Sequence, residues 1–430
     1  MTLRSEPGPP LSGRTRVTPD KSMTHRAVLL GAIAKGVSRI ARPNSGGDCR
    51  ATAEAARALG AKTRLTDEEW VIEGCEGIFQ EPDHVLDMGN SGTGIRLLAG
   101  LLSTQPFLAI LTGDLSLRSR PMSRVADPLR AMGATILSRK GGRAPLAILG
   151  GRCHPISYEM PVASAQVKSA LLLAGLGAAP GELVVTEPGP ARDHTERLLK
   201  YLGVPIFVEG SRIKLKTPAA IPSFEWTIPG DPSAAAFYIV AALIAPGSEL
   251  VLEDVALNPR RIGFLNVLRQ MGAAIEISPR GEQEPEPRGD ITVKHCGLKG
   301  ITVPGEAAVT FIDEVPVLSV AAAFAEGETV FQGLDELRHK ESDRLATTAK
   351  MIRDLGGAVE ETADGLTLHG GAGGLRGGVV ESFNDHRIAM SGLVAGCAAR
   401  ESVTVHGGES ISTSDPAFIE TLAGLRSIPQ

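Results

Sequence analysis

Six short polar segments each stand just before an apolar, helix-like run. They are Asp20-Lys21-Ser22 with Arg26, Gly89-Asn90-Ser91-Gly92-Thr93-Gly94 with Arg96, and Ser164-Ala165-Gln166 with Lys168 in the first half. Pro229-Gly230-Asp231-Pro232-Ser233, Ile312-Asp313-Glu314 and Asn384-Asp385-His386-Arg387 follow in the second. A helix N-terminus presents free N–H groups and partial positive charge, so it binds anions. Taken singly, Ser22, Ser164, Asp231 and Asp313 read as ordinary N-caps. Capping does not explain Lys21, Arg26, Arg96, Lys168 and Arg387, which lie where the helix dipole disfavours cations. Bound anions would offset that cost.

Two further segments add positive charge. Ser119-Arg120-Pro121-Met122 follows a Gly-Asp turn, and Arg338-His339-Lys340-Glu341-Ser342-Asp343-Arg344 opens a helix-like stretch. On a helix, Lys340 and Arg344 would share a face, with Glu341 beside Arg344; a solvated face with local ion pairs is the plainer account. Arg192-Asp193-His194-Thr195-Glu196 is a weaker segment of the same kind. The turn at Gly89–Gly94 has neither common nucleotide spacing, GxGxxG or GxxxxGK[ST], yet a glycine-rich turn entering a helix can cradle a phosphate or carboxylate. His25 and His386 lack an accompanying nucleophile motif and read as structural.

The elements that must position these groups repeat along the chain. A helix-like segment closing on Leu-Gly or Met-Gly recurs at Gly60, Gly133, Gly203, Gly272 and Gly356, with a weaker copy at Gly424, spaced by 68 to 84 residues. Glycine there suits a left-handed helix end. The alternating residues that follow, as in Ala134-Thr135-Ile136-Leu137-Ser138, predict a half-buried strand. Gly36, Gly181, Gly247 and Gly327 each open a β-branched run, a second signal in most units. Asp20, Ser22 and Gly36 match Asp231, Ser233 and Gly247 at a constant offset of 211. Six units in two halves, with a boundary near Pro229-Gly230, account for both signals.

Composition narrows the function. The 430 residues carry 44 Lys+Arg against 49 Asp+Glu, a formal charge of −5, whereas a general nucleic-acid binder carries a basic surplus. Met1–Val17 lacks the apolar stretch of a secretory signal. The longest apolar run, Ala234–Ala245, is shorter than the roughly 18–20 residues of a membrane span. Five scattered cysteines without CxxC, and nine histidines without HExxH, suggest a reduced cytosolic protein without a structural metal.

Asp20-Lys21-Ser22-x-x-His25-Arg26, Gly89-Asn90-x-Gly92-Thr93, Arg120-Pro121-Met122, Lys340-Glu341-Ser342-Asp343-Arg344-Leu345 and Asn384-Asp385-His386-Arg387 together resemble the 5-enolpyruvylshikimate-3-phosphate synthase family. The resemblance runs from Asp20 to about Phe418. It implies an α/β fold: a two-domain inside-out α/β barrel (the enolpyruvyl transferase fold) of six βαβαββ units. Residues 20–229 would form one three-unit domain, residues 1–19 plus 230–430 the other, with the active site in the cleft between them and closure excluding water. The implied reaction moves the enolpyruvyl group of phosphoenolpyruvate to the 5-hydroxyl of shikimate 3-phosphate and releases phosphate. It is a step of the shikimate pathway.

By the same resemblance, Lys21, Ser22, Arg26, Ser164, Ala165, Gln166, Arg192, Asp313 and Lys340 hold shikimate 3-phosphate. Lys21, Gly92, Arg120, Gln166, Arg344 and Arg387 hold phosphoenolpyruvate. Asp313 is the expected base for the hydroxyl and Glu341 the proton carrier at C3, with Lys21 as the alternative acid. No cofactor or metal is implied, and glyphosate is the expected competitor of phosphoenolpyruvate. A cytoplasmic monomer without nucleic-acid or membrane partners completes the expectation.

Several positions depart from the enterobacterial and plant pattern, among them Thr18, Leu97, Ala165, Glu336 and Thr413. Lys168 and Arg192-Asp193-His194 look like the second bacterial subclass, and Arg192 or Lys168 is the expected replacement for the altered substrate contacts. One rival is UDP-N-acetylglucosamine enolpyruvyl transferase. That family has Lys-Asn in place of Lys21-Ser22 and a catalytic cysteine, where Leu115–Arg120 has none. A non-catalytic phosphometabolite-binding protein is the other, but pure binding does not need Glu341.

Overall fold

The computed structural model describes residues 1–281, 285–371 and 373–426. The chain divides into two compact units, one of Pro19–Ile228 with Gln283–Glu286, the other of Met1–Thr18, Pro229–Glu282 and Pro287–Gln430.

Among the described residues each unit holds three small sheets. In the sheet led by Leu86–Asp87, that strand pairs parallel with Leu108–Thr112. Leu108–Thr112 then pairs antiparallel with Arg143–Leu149, and so does Thr135–Arg139. With the helices Gly92–Leu102 and Ser123–Ala131 between its strands, the unit reads βαβαββ. The buried and exposed residues of Arg143–Leu149 alternate, as expected of a strand with one covered face.

Two sheets recruit their first strand from far along the chain. Glu225–Thr227 pairs parallel with Val37–Ala41, and Ser12–Thr15 pairs parallel with Glu249–Ala256. The sixth sheet departs from the repeat. It has three strands, and Thr2–Ser5 lies antiparallel to Val403–His406 where the other sheets carry a hairpin. Gly424, read as a sixth helix-ending glycine, instead lies inside the helix Phe418–Leu425. The other five, Gly60, Gly133, Gly203, Gly272 and Gly356, have φ of 101°, 117°, 74°, 94° and 81°, the left-handed backbone that glycine adopts without steric cost.

Within each unit the helices that follow the polar segments are almost wholly buried. All thirteen residues of the helix Pro232–Ile244 are buried, and so are Val315–Ala323 and His386–Gly396 in their helices. A helix apolar on every side is stable only when covered on every side. That is why Ala-rich runs, rather than amphipathic ones, follow the polar segments. In the other unit the helices Gly92–Leu102 and Ala165–Leu176 cross so closely that a Cβ on Gly100 would lie 2.2 Å from the Ala170 carbonyl oxygen. No described helix is long and apolar enough to cross a membrane.

Candidate active site

The polar segments do sit at the starts of buried helices. Asp20 caps Lys21–Ile33 by accepting from Met23 N at 2.7 Å. Ser91 caps Gly92–Leu102, Ser164 caps Ala165–Leu176, Asp231 caps Pro232–Ile244 and Asp385 caps His386–Gly396. Two expected caps fall elsewhere. Ser22 is the second residue inside its helix, and Asp313 lies in a short 3-10 turn, Ile312–Glu314, ahead of Val315–Phe324. Their side chains are thereby released from capping.

In the unit containing Pro19–Ile228, Lys21 Nζ lies 3.0 Å from Asp48 Oδ2, with both groups largely covered. Arg26 is 3% exposed. Its Nε donates to Thr195 Oγ1 at 2.8 Å, Nη2 to Ser169 Oγ at 2.9 Å and Nη1 to the Ser22 carbonyl at 2.8 Å. Gln166 joins two segments: its Oε1 accepts from Arg96 Nη1 at 2.7 Å and its Nε2 donates to Thr93 Oγ1 at 2.9 Å. Arg120 donates to Asn90 Oδ1 and, at 3.1 Å, to Ser116 Oγ. A Cβ on Gly92 would meet Arg96 Nη1 at 2.9 Å and Arg120 Nη1 at 3.0 Å. Ser164, Ala165 and Arg192 are half-buried.

Lys168, one of the two expected replacement contacts, is committed to an internal ion-pair cluster. It is fully buried, and its Nζ lies 2.6 Å from both Glu187 Oε2 and Glu196 Oε1. Burial raises the Glu196 carboxyl above its ordinary range, and Lys168 opposes that. Protein carboxylates, not bound anions, thus offset the charge of Lys168, and Asp48 faces that of Lys21. His25 is structural. Its ring bridges Thr52 Oγ1 at 2.8 Å and Ser91 Oγ at 3.3 Å. Burial, then Lys21 and Arg26, hold it well below the usual histidine range, so it is neutral.

The other unit gathers a denser cluster. Asp313 Oδ1 accepts from Lys340 Nζ at 3.1 Å and from Arg344 Nη1 at 3.2 Å. Arg344 is 1% exposed. Its Nε donates to Asp385 Oδ2 at 2.8 Å, and its Nη2 lies 2.5 Å from Glu341 Oε2. Burial opposes the charge on Arg344, but Asp385, Glu341 and Asp313 outweigh it and raise its pKa. Arg387 Nη1 donates to the Asp313 carbonyl at 3.0 Å and reaches Glu314 Oε1 at 3.4 Å.

Lys340, Glu341 and Arg344 meet by a route other than a shared helix face. The helix begins only at Arg344, capped by Asp343, and Lys340 follows a 3-10 turn at Asp335–His339. Asp313 and the loop bring them together. Glu336 lies in that 3-10 turn. Thr413 ends another, Gly408–Thr413, and its hydroxyl donates to the Ser410 carbonyl at 2.7 Å. The residues that sequence reasoning missed are Asp48, Ser169 and the partner role of Thr195. None has a spacing signal, because each meets its cation across the fold. Among the described residues no cluster of His, Cys, Asp or Glu suits a metal ion.

A family model described as EPSP synthase (3-phosphoshikimate 1-carboxyvinyltransferase) matches residues 5–422. A curated 3-phosphoshikimate 1-carboxyvinyltransferase from Gluconobacter oxydans is 50% identical over 422 residues, covering 96% of this chain and 95% of that one. A counterpart in Thermus thermophilus is 49% identical over 425 residues, 98% of each chain. Among solved structures, an EPSP synthase from Acinetobacter baumannii superposes with a TM-score of 0.88 at 41% identity, over 99% of this chain and 98% of that one. The enolpyruvyl transferase NikO from Streptomyces tendae superposes at 0.79 with 18% identity, over 99% and 97%, a likeness of fold.

Proposed function

The chain belongs to the EPSP synthase family, and we propose that its clustered cations hold the two anionic substrates of one reaction. The protein is a 3-phosphoshikimate 1-carboxyvinyltransferase of the shikimate pathway. The enolpyruvyl group passes from phosphoenolpyruvate to the 5-hydroxyl of shikimate 3-phosphate, and inorganic phosphate leaves.

Arg26, Gln166, Ser164, Arg192 and Lys340, with Lys21 and Ser22, bind shikimate 3-phosphate; Ala165 and Asp313 line the same substrate. Arg120, Arg344 and Arg387, with Lys21, Gln166 and Gly92, bind phosphoenolpyruvate. Guanidinium groups suit this task because they bind carboxylate and phosphate through two parallel hydrogen bonds.

The 5-hydroxyl oxygen attacks C2 of phosphoenolpyruvate as Asp313 takes its proton and C3 gains one. The resulting ketal phosphate then loses a C3 proton and its C2–phosphate bond. Two groups of opposite initial protonation are needed. Lys340 and Arg344 on Asp313 Oδ1 favour its carboxylate form, as a base requires. Arg344 at 2.5 Å likewise favours ionised Glu341, which suits removal of the C3 proton; Lys21 is the acid for its addition. Positive side chains and helix ends supply the field that stabilises the intermediate.

The observation that carries this reading is the convergence of Lys340 and Arg344 on Asp313, with Glu341 paired to the same Arg344 guanidinium. The reading includes a monomer acting in the cytoplasm, with glyphosate competing for the phosphoenolpyruvate site. Phosphate release from the two substrates in the presence of EDTA tests it. Turnover dependent on shikimate 3-phosphate supports the assignment. Turnover only with UDP-N-acetylglucosamine, or none with either acceptor, overturns it.

A further inference from the structure

We propose that Thr195 and Ser169 are positioning residues for Arg26, holding its guanidinium in the orientation that receives an anionic group of shikimate 3-phosphate. The inference rests on the assignment of Arg26 to that substrate. Each of the three guanidinium nitrogens is tied down: Nε to Thr195 Oγ1, Nη2 to Ser169 Oγ and Nη1 to the Ser22 carbonyl. The two hydroxyls also bond each other at 2.7 Å. A planar group fixed at three corners keeps one plane, and that plane sets the direction of any bidentate bond it makes.

The chemistry of the acceptors matters as much as their placement. Each of these three acceptors is a neutral oxygen that fixes one nitrogen of the guanidinium. The adjoining residues are treated in the opposite way. Lys168, next to Ser169, meets two carboxylates, one of them from Glu196, next to Thr195. That buried ion pair joins the helix Ala165–Leu176 to the helix His194–Tyr201. It sets Ser169 and Thr195 side by side. Charge is thus cancelled where it only holds helices in register, while hydroxyls serve the arginine that meets substrate.

The full chain carrying Thr195→Val, Ser169→Ala, Thr195→Ser or Arg26→Gln tests this through steady-state phosphate release, with each substrate varied in turn. Loss of one hydrogen bond to a charged group predicts about a tenfold rise in KM for shikimate 3-phosphate in Thr195→Val. Ser169→Ala should behave likewise. The KM for phosphoenolpyruvate should stay within about twofold, and Thr195→Ser should restore wild-type values, since it keeps the hydroxyl. An unchanged KM for shikimate 3-phosphate in both hydroxyl-free variants overturns the proposal, as does an equal rise for both substrates. Should Thr195→Val fail to fold, Ser169→Ala, which removes a single oxygen, decides alone. Arg26→Gln separates the two levels. If it raises that KM while the hydroxyl variants do not, only the positioning role falls; if it too has no effect, the Arg26 assignment falls with it.

Discussion

Glu341 and Arg344 are joined at 2.5 Å between Oε2 and Nη2, although the helix that starts at Arg344 does not include Glu341. The same guanidinium touches Asp313 and Asp385. Arg344 therefore organises both proposed proton-transfer carboxylates, and substitution at either should affect chemistry more than binding.

Glu341→Gln keeps the shape of the side chain and removes its ability to carry a proton. Turnover should fall by about 100-fold or more, while the dissociation constants of both substrates, measured by calorimetry, stay within a few-fold. Normal turnover would refute the role.

Gly92→Ala places a methyl group against two guanidinium ends, at 2.9 Å from Arg96 and 3.0 Å from Arg120. Both are the far ends of flexible side chains, so the protein should fold. Displacing Arg120 should raise the KM for phosphoenolpyruvate by about tenfold, ~1.4 kcal/mol, and weaken glyphosate inhibition by more. Unchanged inhibition alongside an unchanged KM would show that Gly92 does not border this substrate.

Lys168→Met leaves Glu187 and Glu196 buried without the ammonium that joins them. Breaking a buried ion pair from one side costs about 3–5 kcal/mol. The urea midpoint should shift accordingly, and a loss below about 1 kcal/mol would mean that the pair contributes little.

Asp415 is 1% exposed. Burial pushes its carboxyl up to about 7; the Ala417 backbone opposes this and Asp231 adds to it. The folded chain then keeps a proton that the unfolded chain releases above pH ~4. Its contribution is fully present below that pH and is lost as pH rises through about 7. Asp415→Asn removes this dependence. Its stability advantage over the natural chain should grow by roughly 3 kcal/mol between pH 5 and 8. A constant difference across that range would exclude titration of Asp415.

Much of the fold was legible because its signals are local. A glycine ending a helix must take positive φ, so the spacing of Gly60, Gly133, Gly203, Gly272 and Gly356 exposed the repeat. Gly424 misled because Leu-Ala-Gly also occurs inside a helix, where nothing crowds it. The three-stranded sixth sheet was hidden, since its partner strand, Thr2–Ser5, lies at the other end of the chain. The site was legible as a set of cations at helix starts. Ser22 and Asp313 were misjudged as caps because capping depends on where the first turn begins, and that lies within a residue or two of uncertainty in any sequence pattern.

The sequence by itself determined the unit repeat, the buried helices with polar starts, and the family motifs, because caps, periodicity and glycine geometry act over a few residues. Tertiary structure alone decided which charges are consumed inside the protein. Lys168, Arg26 and Arg344 look alike as cations at helix starts. Folding gives Lys168 a pair of carboxylates, Arg26 two hydroxyl partners and Arg344 a ring of acids. Charge pairing falls off with distance through space rather than along the chain, so only the packed fold could assign them different roles.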